Sequence, residues 1–265
     1  MRPRLEKTEA IALRVYPYSR TSHVVTWLTP QHGRIGTLVK GAQRPKSAFI
    51  GQYDLFCTSE MVYYLRNING LHIAKECAMT SPRTGLRKNW RSACCASYFC
   101  DLVNRIGLEN TPQVRLFQLM SEALNFLSGN QPSLALLFWF ELQVLAEAGM
   151  APRLTNCQVC NAELGQGHAC IAPGMGGITC HQCAKSGGIL ARAESAGYPS
   201  IAPDVLALLR AWQATISPGA VARTYCSPNQ VLALSTFLGM LIEYHLDLQP
   251  AGRGVVLDIM KAGSF

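Results

Sequence analysis

Two Cys-x-x-Cys pairs, Cys157/Cys160 and Cys180/Cys183, stand 19 residues apart in CQVCNAELGQGHACIAPGMGGITCHQC, and they restrict this chain more than any other feature. A Cys-x-x-Cys turn lets two sulfurs reach one ion, and two such turns complete a tetrahedral site. The separation falls within the range of zinc sites. The segment is therefore expected to double back, with Gly174, Gly176 and Gly177 making the return turn before the second pair. His168, Cys170 and His181 lie nearby and could replace one sulfur. A redox reading of Cys-x-x-Cys needs a strand-to-helix junction that lowers a thiol pKa, and none is read in this segment. Four thiolates leave no open coordination position, and no Glu lies one or two residues from a ligand as in a zinc hydrolase or deaminase. The expected cofactor is a structural Zn2+ held by Cys157, Cys160, Cys180 and Cys183. Such an ion contributes about 10–16 kcal/mol of apparent folding energy to a segment with little apolar content.

The remaining cysteines of the eleven, at 57, 77, 94, 95, 100 and 226, are expected to be reduced, buried, small apolar groups. The start, MRPRLEKTEA, has no apolar h-region. The run LALLFWFELQVLAEAG carries Glu141, Gln143 and Glu147, so it reads as a buried helix and not a membrane span. Glu141 is expected to be a paired or helix-end structural carboxylate. A soluble, cytoplasmic, nucleoid-associated protein is the expectation.

Charge is unevenly placed. Residues 1–92 hold 15 Lys or Arg against 5 Asp or Glu, whereas residues 93–265 hold 9 against 11. The basic end also has the period-two pattern of strands: Ile11, Leu13 and Val15 alternate with Ala12, Arg14 and Tyr16. Further strands are read at 24–28, 35–39, 56–65 and 71–75, with an Asn69-Gly70 turn before the last. Five short strands in about 75 residues suit a small closed barrel such as the OB-fold. From about residue 82 the period becomes helical, with Ala93, Ala96, Phe99/Cys100, Val103 and Ile106 on one face. Thr111-Pro112 and Ser227-Pro228 read as helix starts, and Gly129 and Gly149 as stops. The expected fold class is α+β: an N-terminal OB-fold β-barrel (1–80), then an α-helical domain in two parts (81–154 and 191–265) with an inserted four-cysteine zinc-binding segment (155–190).

Arg34, Lys40, Arg44 and Lys46 surround one strand and its following loop, and Arg14 and Arg20 belong to the neighbouring strand and turn. Cations interleaved with Tyr16, Tyr18, Phe49 and Tyr53 can follow a phosphate backbone while bases stack. Arg14, Arg20, Arg34, Lys40, Arg44 and Lys46 are therefore the expected DNA contacts; a merely solvated basic face is the plain alternative. A second cluster, Arg83, Arg87, Lys88 and Arg91, extends the track or solvates the first helix. No phosphate-binding G-x-x-x-x-G-K-[ST] loop, H-E-x-x-H or nucleophile elbow is present, so no catalytic residue is assigned.

The order of parts resembles the RecO family of bacterial recombination mediators and DNA-repair proteins. The resemblance is carried by Lys40-Gly41 with the loop KGAQRPKS, then by GMAPRL followed by LTNCQVC and GGITCHQC. It implies a non-catalytic protein that binds single- and double-stranded DNA and anneals complementary strands. It further implies work with RecR to load RecA on strands coated by single-stranded-DNA-binding protein, whose acidic C-terminal tail would contact the helical domain. The competing classes are a zinc-ribbon adaptor in transcription or translation, and a zinc-dependent hydrolase.

Overall fold

The computed structural model describes residues 4–66, 70–165, 169–172, 175–187, 200–247 and 250–262. Clustering of the backbone separates two compact units, residues 1–131 and 132–265.

The first unit opens with β1 (Arg4–Ser19), β2 (Ser22–Thr29), β3 (Gly33–Val39), β4 (Thr58–Leu65) and β5 (His72–Ser81). β1 is long enough to serve two neighbours: Arg4–Ile11 pair antiparallel with β4, and Ile11–Ser19 pair antiparallel with β2. β2 pairs with β3, and β4 with β5, also antiparallel. The strand order β1-β2-β3-β5-β4 returns on itself through a parallel β3–β5 seam, which among the described residues consists of Thr37 opposite His72 and Leu38 opposite Ile73. Inside lie Ala10, Ala12, Val25, Trp27, Ile35, Val39, Met61 and Tyr63, with the Trp27 indole N–H donating to Thr37 Oγ1 at 2.8 Å. The outer face of β1 is also covered: Ile11 and Leu13 are buried as fully as Ala10 and Ala12, because a helix packs on that strand.

That helix is α2 (Trp90–Ile106), capped by the Asn89 side chain; it follows the single turn α1 (Gly85–Lys88) and precedes α3 (Val114–Gly129). α2 buries Ala96, Phe99, Cys100, Val103 and Ile106 of the face that its 3.6-residue period predicts, leaves Ala93 half-buried, and buries Ser92, Cys95, Tyr98 and Leu102 besides. The expected OB-fold β-barrel is corrected by one finding: the strands do not form an evenly laddered barrel, since among the described residues the β3–β5 seam has two parallel residue pairs. By backbone compactness α1–α3 fall in the same unit as the sheet. An α+β fold with an N-terminal sheet and C-terminal helices is what remains.

Arg83 shows how this unit is joined. Its guanidinium is buried and donates to Phe56 O (2.6 Å), Thr58 Oγ1 (2.9 Å), Ser121 Oγ (3.0 Å) and Asn125 Oδ1 (2.7 Å). Strand, loop and α3 are thus held by one cation, which is removed from any surface track. The Thr111-Pro112 start is also corrected. α3 begins after Gln113, whose backbone N–H donates to Pro30 O at 2.9 Å and whose side chain accepts from Leu108 N at 3.0 Å.

In the second unit α4 (Leu134–Glu147) is buried nearly all round. Its polar groups are satisfied: Trp139 Nε1 donates to Thr215 O and Gln143 Nε2 to Trp212 O, both at 2.7 Å. A two-stranded hairpin, β6 (Ala169–Ala172) and β7 (Gly177–Cys180), runs into α5 (His181–Ser186). The helices α6 (Pro203–Ala214), α7 (Pro218–Val221), α8 (Pro228–Leu246) and α9 (Ala251–Ala262) complete the unit. α8 starts at a capping box, with Ser227 and Gln230 bonded reciprocally, as Ser227-Pro228 predicts. No helix among the described residues is long and apolar enough to cross a membrane.

Candidate nucleic-acid interface and thiol cluster

Two backbone N–H groups of the loop after β3 fix it to the β1–β2 turn and the start of β2. Gln43 N donates to Thr21 O at 3.1 Å, and Gly41 N donates to Ser22 Oγ at 3.1 Å. Arg20 adjoins Thr21, so these bonds bring Arg20 to the same end of the unit as Lys40, Arg44 and Lys46. All four side chains are exposed. Gly41 has φ +68°, and a Cβ there would lie 3.2 Å from the Arg44 side chain, so glycine supplies both the turn and the room for Arg44 to fold over it. His23 locks the base of the loop: Nδ1 lies 2.7 Å from the Tyr53 hydroxyl and Nε2 2.7 Å from Gln43 Nε2. Tyr16 and Tyr18 are exposed on the adjoining end of β1, and Phe49 and Tyr53 are half-buried against the core.

The other two cations read from the sequence are engaged. Arg14 is ion-paired with Asp101 of α2 and donates to the Tyr16 hydroxyl at 3.0 Å. Arg34 donates to the Asn104 carbonyl and lies 2.7 Å from Glu109. In the second basic cluster, Arg87 is paired with Asp54, and Arg91 lies over the exposed Trp90 ring at 5.4 Å. Among the six expected contacts, the structure therefore assembles Arg20, Lys40, Arg44 and Lys46 and diverts Arg14 and Arg34 to the sheet–helix boundary.

In the second unit, the sulfurs of Cys157, Cys160, Cys180 and Cys183 all lie within 4.8 Å of one another. Cys160 and Cys180 Sγ are 3.9 Å apart. A tetrahedral Zn–S distance of about 2.3 Å requires sulfurs about 3.8 Å apart, so the donor set fits that ion in number, type and spacing. Two backbone turns produce it. In the first, Val159 N points at Cys157 Sγ (3.4 Å), and Asn161, at φ +58°, reverses the chain. In the second, Cys180 is the N-cap of α5 and its sulfur accepts from Cys183 N at 3.4 Å. The second pair thus does stand at a strand-to-helix junction, which the sequence reading missed because the four-residue β7 is too short to give a periodic signal.

Gln158 N donates to Ile178 O at 3.1 Å, joining the two turns. Gly177 is required there, since a Cβ would meet the Gln158 amide at 2.0 Å. Burial pushes the Cys157 thiol up, but the N–H groups of Cys160, Cys180 and Val159 outweigh it and bring it down to about 6. Hydrogen bonds with the Cys160 and Cys180 sulfurs hold Cys183 up at about 12. Cys170 and His181 are not part of the thiol group, and His168 and Gly174 lie outside the described residues. The cysteines at 57, 77, 94, 95, 100 and 226 are buried or half-buried.

Two family models cover this chain: "Recombination protein O N terminal" over residues 1–83 and "Recombination protein O C terminal" over residues 87–253. Similar relatives are each named "DNA repair protein RecO". One from Desulfosudis oleivorans is 33% identical over 67% of this chain and 71% of its own. One from Moorella thermoacetica is 25% identical over 97% and 92%. One from Bacillus subtilis is 28% identical over 68% and 69%.

Proposed function

Since this chain belongs to the RecO family of DNA repair and recombination proteins, we propose that it binds single- and double-stranded DNA through the loop-end cations and anneals complementary strands without a catalytic step. The observation that carries this reading is the pinning of the 40–47 loop, by two of its backbone N–H groups, to the β1–β2 turn and the start of β2, which concentrates Arg20, Lys40, Arg44 and Lys46 at one end. Two strands repel through their phosphates. A fixed positive surface lowers that repulsion and raises the local concentration of both. Exposed Tyr16 and Tyr18 offer ring faces on which bases stack irrespective of sequence. Arg14 and Arg34, in this reading, position the sheet on its helices and contribute little to phosphate binding.

Zn2+ is the ion proposed for Cys157, Cys160, Cys180 and Cys183, where it would brace the hairpin and α5 and supply no chemistry. The further partners, RecR, the acidic tail of single-stranded-DNA-binding protein and, through them, RecA, are proposed from the family, as is a cytoplasmic, nucleoid-associated location. The deciding experiment is annealing of complementary strands precoated with single-stranded-DNA-binding protein. Acceleration by this protein that is lost in the Arg20/Lys40/Arg44/Lys46→Ala variant supports the proposal; annealing no faster than the coated strands alone overturns it. Preference for structured RNA over single-stranded DNA in competition would instead favour an adaptor role in transcription or translation.

A further inference from the structure

The outer face of β3 carries a cavity that neither the cation cluster nor the thiol site uses. Along this strand Ile35, Thr37 and Val39 point inward and are buried, whereas Arg34, Gly36 and Leu38 are half-buried on the outside and lead to exposed Lys40. Beside Arg34 and Gly36 lies a cavity of about 660 Å³, bounded by Leu71, His72, Arg66 and the end of α2 with its following turn. That size is within the about 300–1,000 Å³ of small-molecule sites. Leu71 closes over Gly36, where a Cβ would meet Leu71 Cδ2 at 2.8 Å, so glycine is what lets the two segments approach.

Asn104, half-buried, and Asn110, exposed, line the cavity, and neither side chain has a hydrogen-bond partner among the described residues. Arg66, exposed at the rim, has no ion-pair partner among them; its backbone N–H donates to His72 Nδ1 at 3.2 Å. The one carboxylate on the wall, Glu109, is matched by Arg34 at 2.7 Å. Two unengaged amides, each offering a donor and an acceptor, suit the edge of a nucleobase. An unpaired guanidinium suits its phosphate or stacks on the base.

We propose that this cavity holds one base of a single DNA strand, turned out from a backbone that follows the outer face of β3 to Lys40. From Gly36 to Lys40 is about 13 Å at the rise of a strand, so base and phosphate contacts fall within a few nucleotides. This inference rests on the DNA-binding reading above and adds a place where the base itself is recognised.

The test compares binding of the full-length protein to a single-stranded oligonucleotide and to an abasic oligomer of equal length. The native protein is expected to prefer the base-bearing strand by about tenfold or more. Asn104→Ala with Asn110→Gly should lower that preference several-fold, the share from stacking on Tyr16 and Tyr18 remaining, and leave abasic binding unchanged. The Asn104 carbonyl that holds Arg34 survives this change, and Gly tolerates the φ of +55° at 110. A variant that keeps the native preference, or that weakens both ligands equally, overturns the cavity assignment while leaving DNA binding intact. No binding of either oligomer by the native protein overturns both readings. Arg66→Ala, at an exposed position, is the second probe: it should lower affinity for both strands and make the salt slope shallower by about 0.7. An unchanged slope removes Arg66 from the site.

Discussion

Arg253 on α9 grips Glu141 on α4 with both arms of its guanidinium, Nε 2.7 Å from Oε1 and Nη2 3.0 Å from Oε2, in a site from which water is nearly excluded. Nη2 also donates to Ser235 O at 3.0 Å. Gly239 leaves the space for this arm, since a Cβ would come within 2.8 Å of Nη1. Removing one partner strands the other charge in an apolar surround, so Arg253→Met is expected to destabilise the protein by about 3–5 kcal/mol. Glu141→Leu combined with Arg253→Met should be milder than Arg253→Met alone, because no buried charge remains. Urea midpoints of the native, single and double variants check both statements.

DNA affinity should follow the exposed cations and not the paired ones. Replacing Arg20, Lys40, Arg44 and Lys46 with Ala is expected to flatten the slope of log affinity against log salt by about 3 on single strands, as four phosphate contacts are lost. Arg14→Ala and Arg34→Ala should change that slope little and lower the melting temperature instead, because their partners are Asp101 and Glu109. Salt titrations by fluorescence anisotropy, alongside thermal melts, separate the two groups.

Cys157→Ser should reduce bound zinc and lower the stability of the second unit, with little change in affinity for single strands in variants that remain folded. Chelation of the native protein should give the same pattern. Metal analysis, thermal melts and DNA binding on the same samples test this; loss of DNA binding with stability intact would make the thiol cluster a contact surface.

His72 makes the N-terminal unit sensitive to mild acid. Burial, then the nearby His32 and Arg66, hold its imidazole below its ordinary value of 6.5, and its ring packs on Tyr63. The unfolded chain therefore takes up this proton before the folded one does. Stability is fully retained above pH 6.5 and declines as the pH falls from there through the lower folded value. His72→Asn keeps an acceptor near the Arg66 N–H and removes the titration, so it should lose less stability than the native protein between about pH 7 and pH 5. Urea denaturation at each pH is the measurement.

Much of this could be read from residues alone, and the gaps have physical causes. The thiol cluster follows from spacing, because a two-residue turn fixes where the sulfurs can point. β3 follows from alternation, since one face of it is buried. In β2 the alternation at Val24, Thr26 and Leu28 marks the strand but not its inner face, which is Val25 and Trp27, and Leu28 and Thr29 are buried as well. The first half of β1 was invisible: Arg4-Leu5-Glu6-Lys7 has no apolar alternation, and only its pairing with Tyr64, Tyr63 and Val62 makes it a strand. The alternation expected at Ile11–Val15 likewise failed where α2 buries the second face. The fate of each arginine was not legible either. Arg14 meets a carboxylate 87 residues away and Arg34 one 75 residues away, and no local pattern marks such pairs. The free amides at 104 and 110 have no sequence signature, because an asparagine is functional or idle according to what the fold leaves beside it.

Among the described residues the β3–β5 ladder is two residue pairs long, which gives the N-terminal unit a built-in parting line. Backbone amides around Thr37 and Leu38 should take up deuterium through a local opening, while those shared by β1 and β4 exchange only when the whole unit unfolds. A sheet that unlatches at one seam can widen there to admit a guest and close again without surrendering its core.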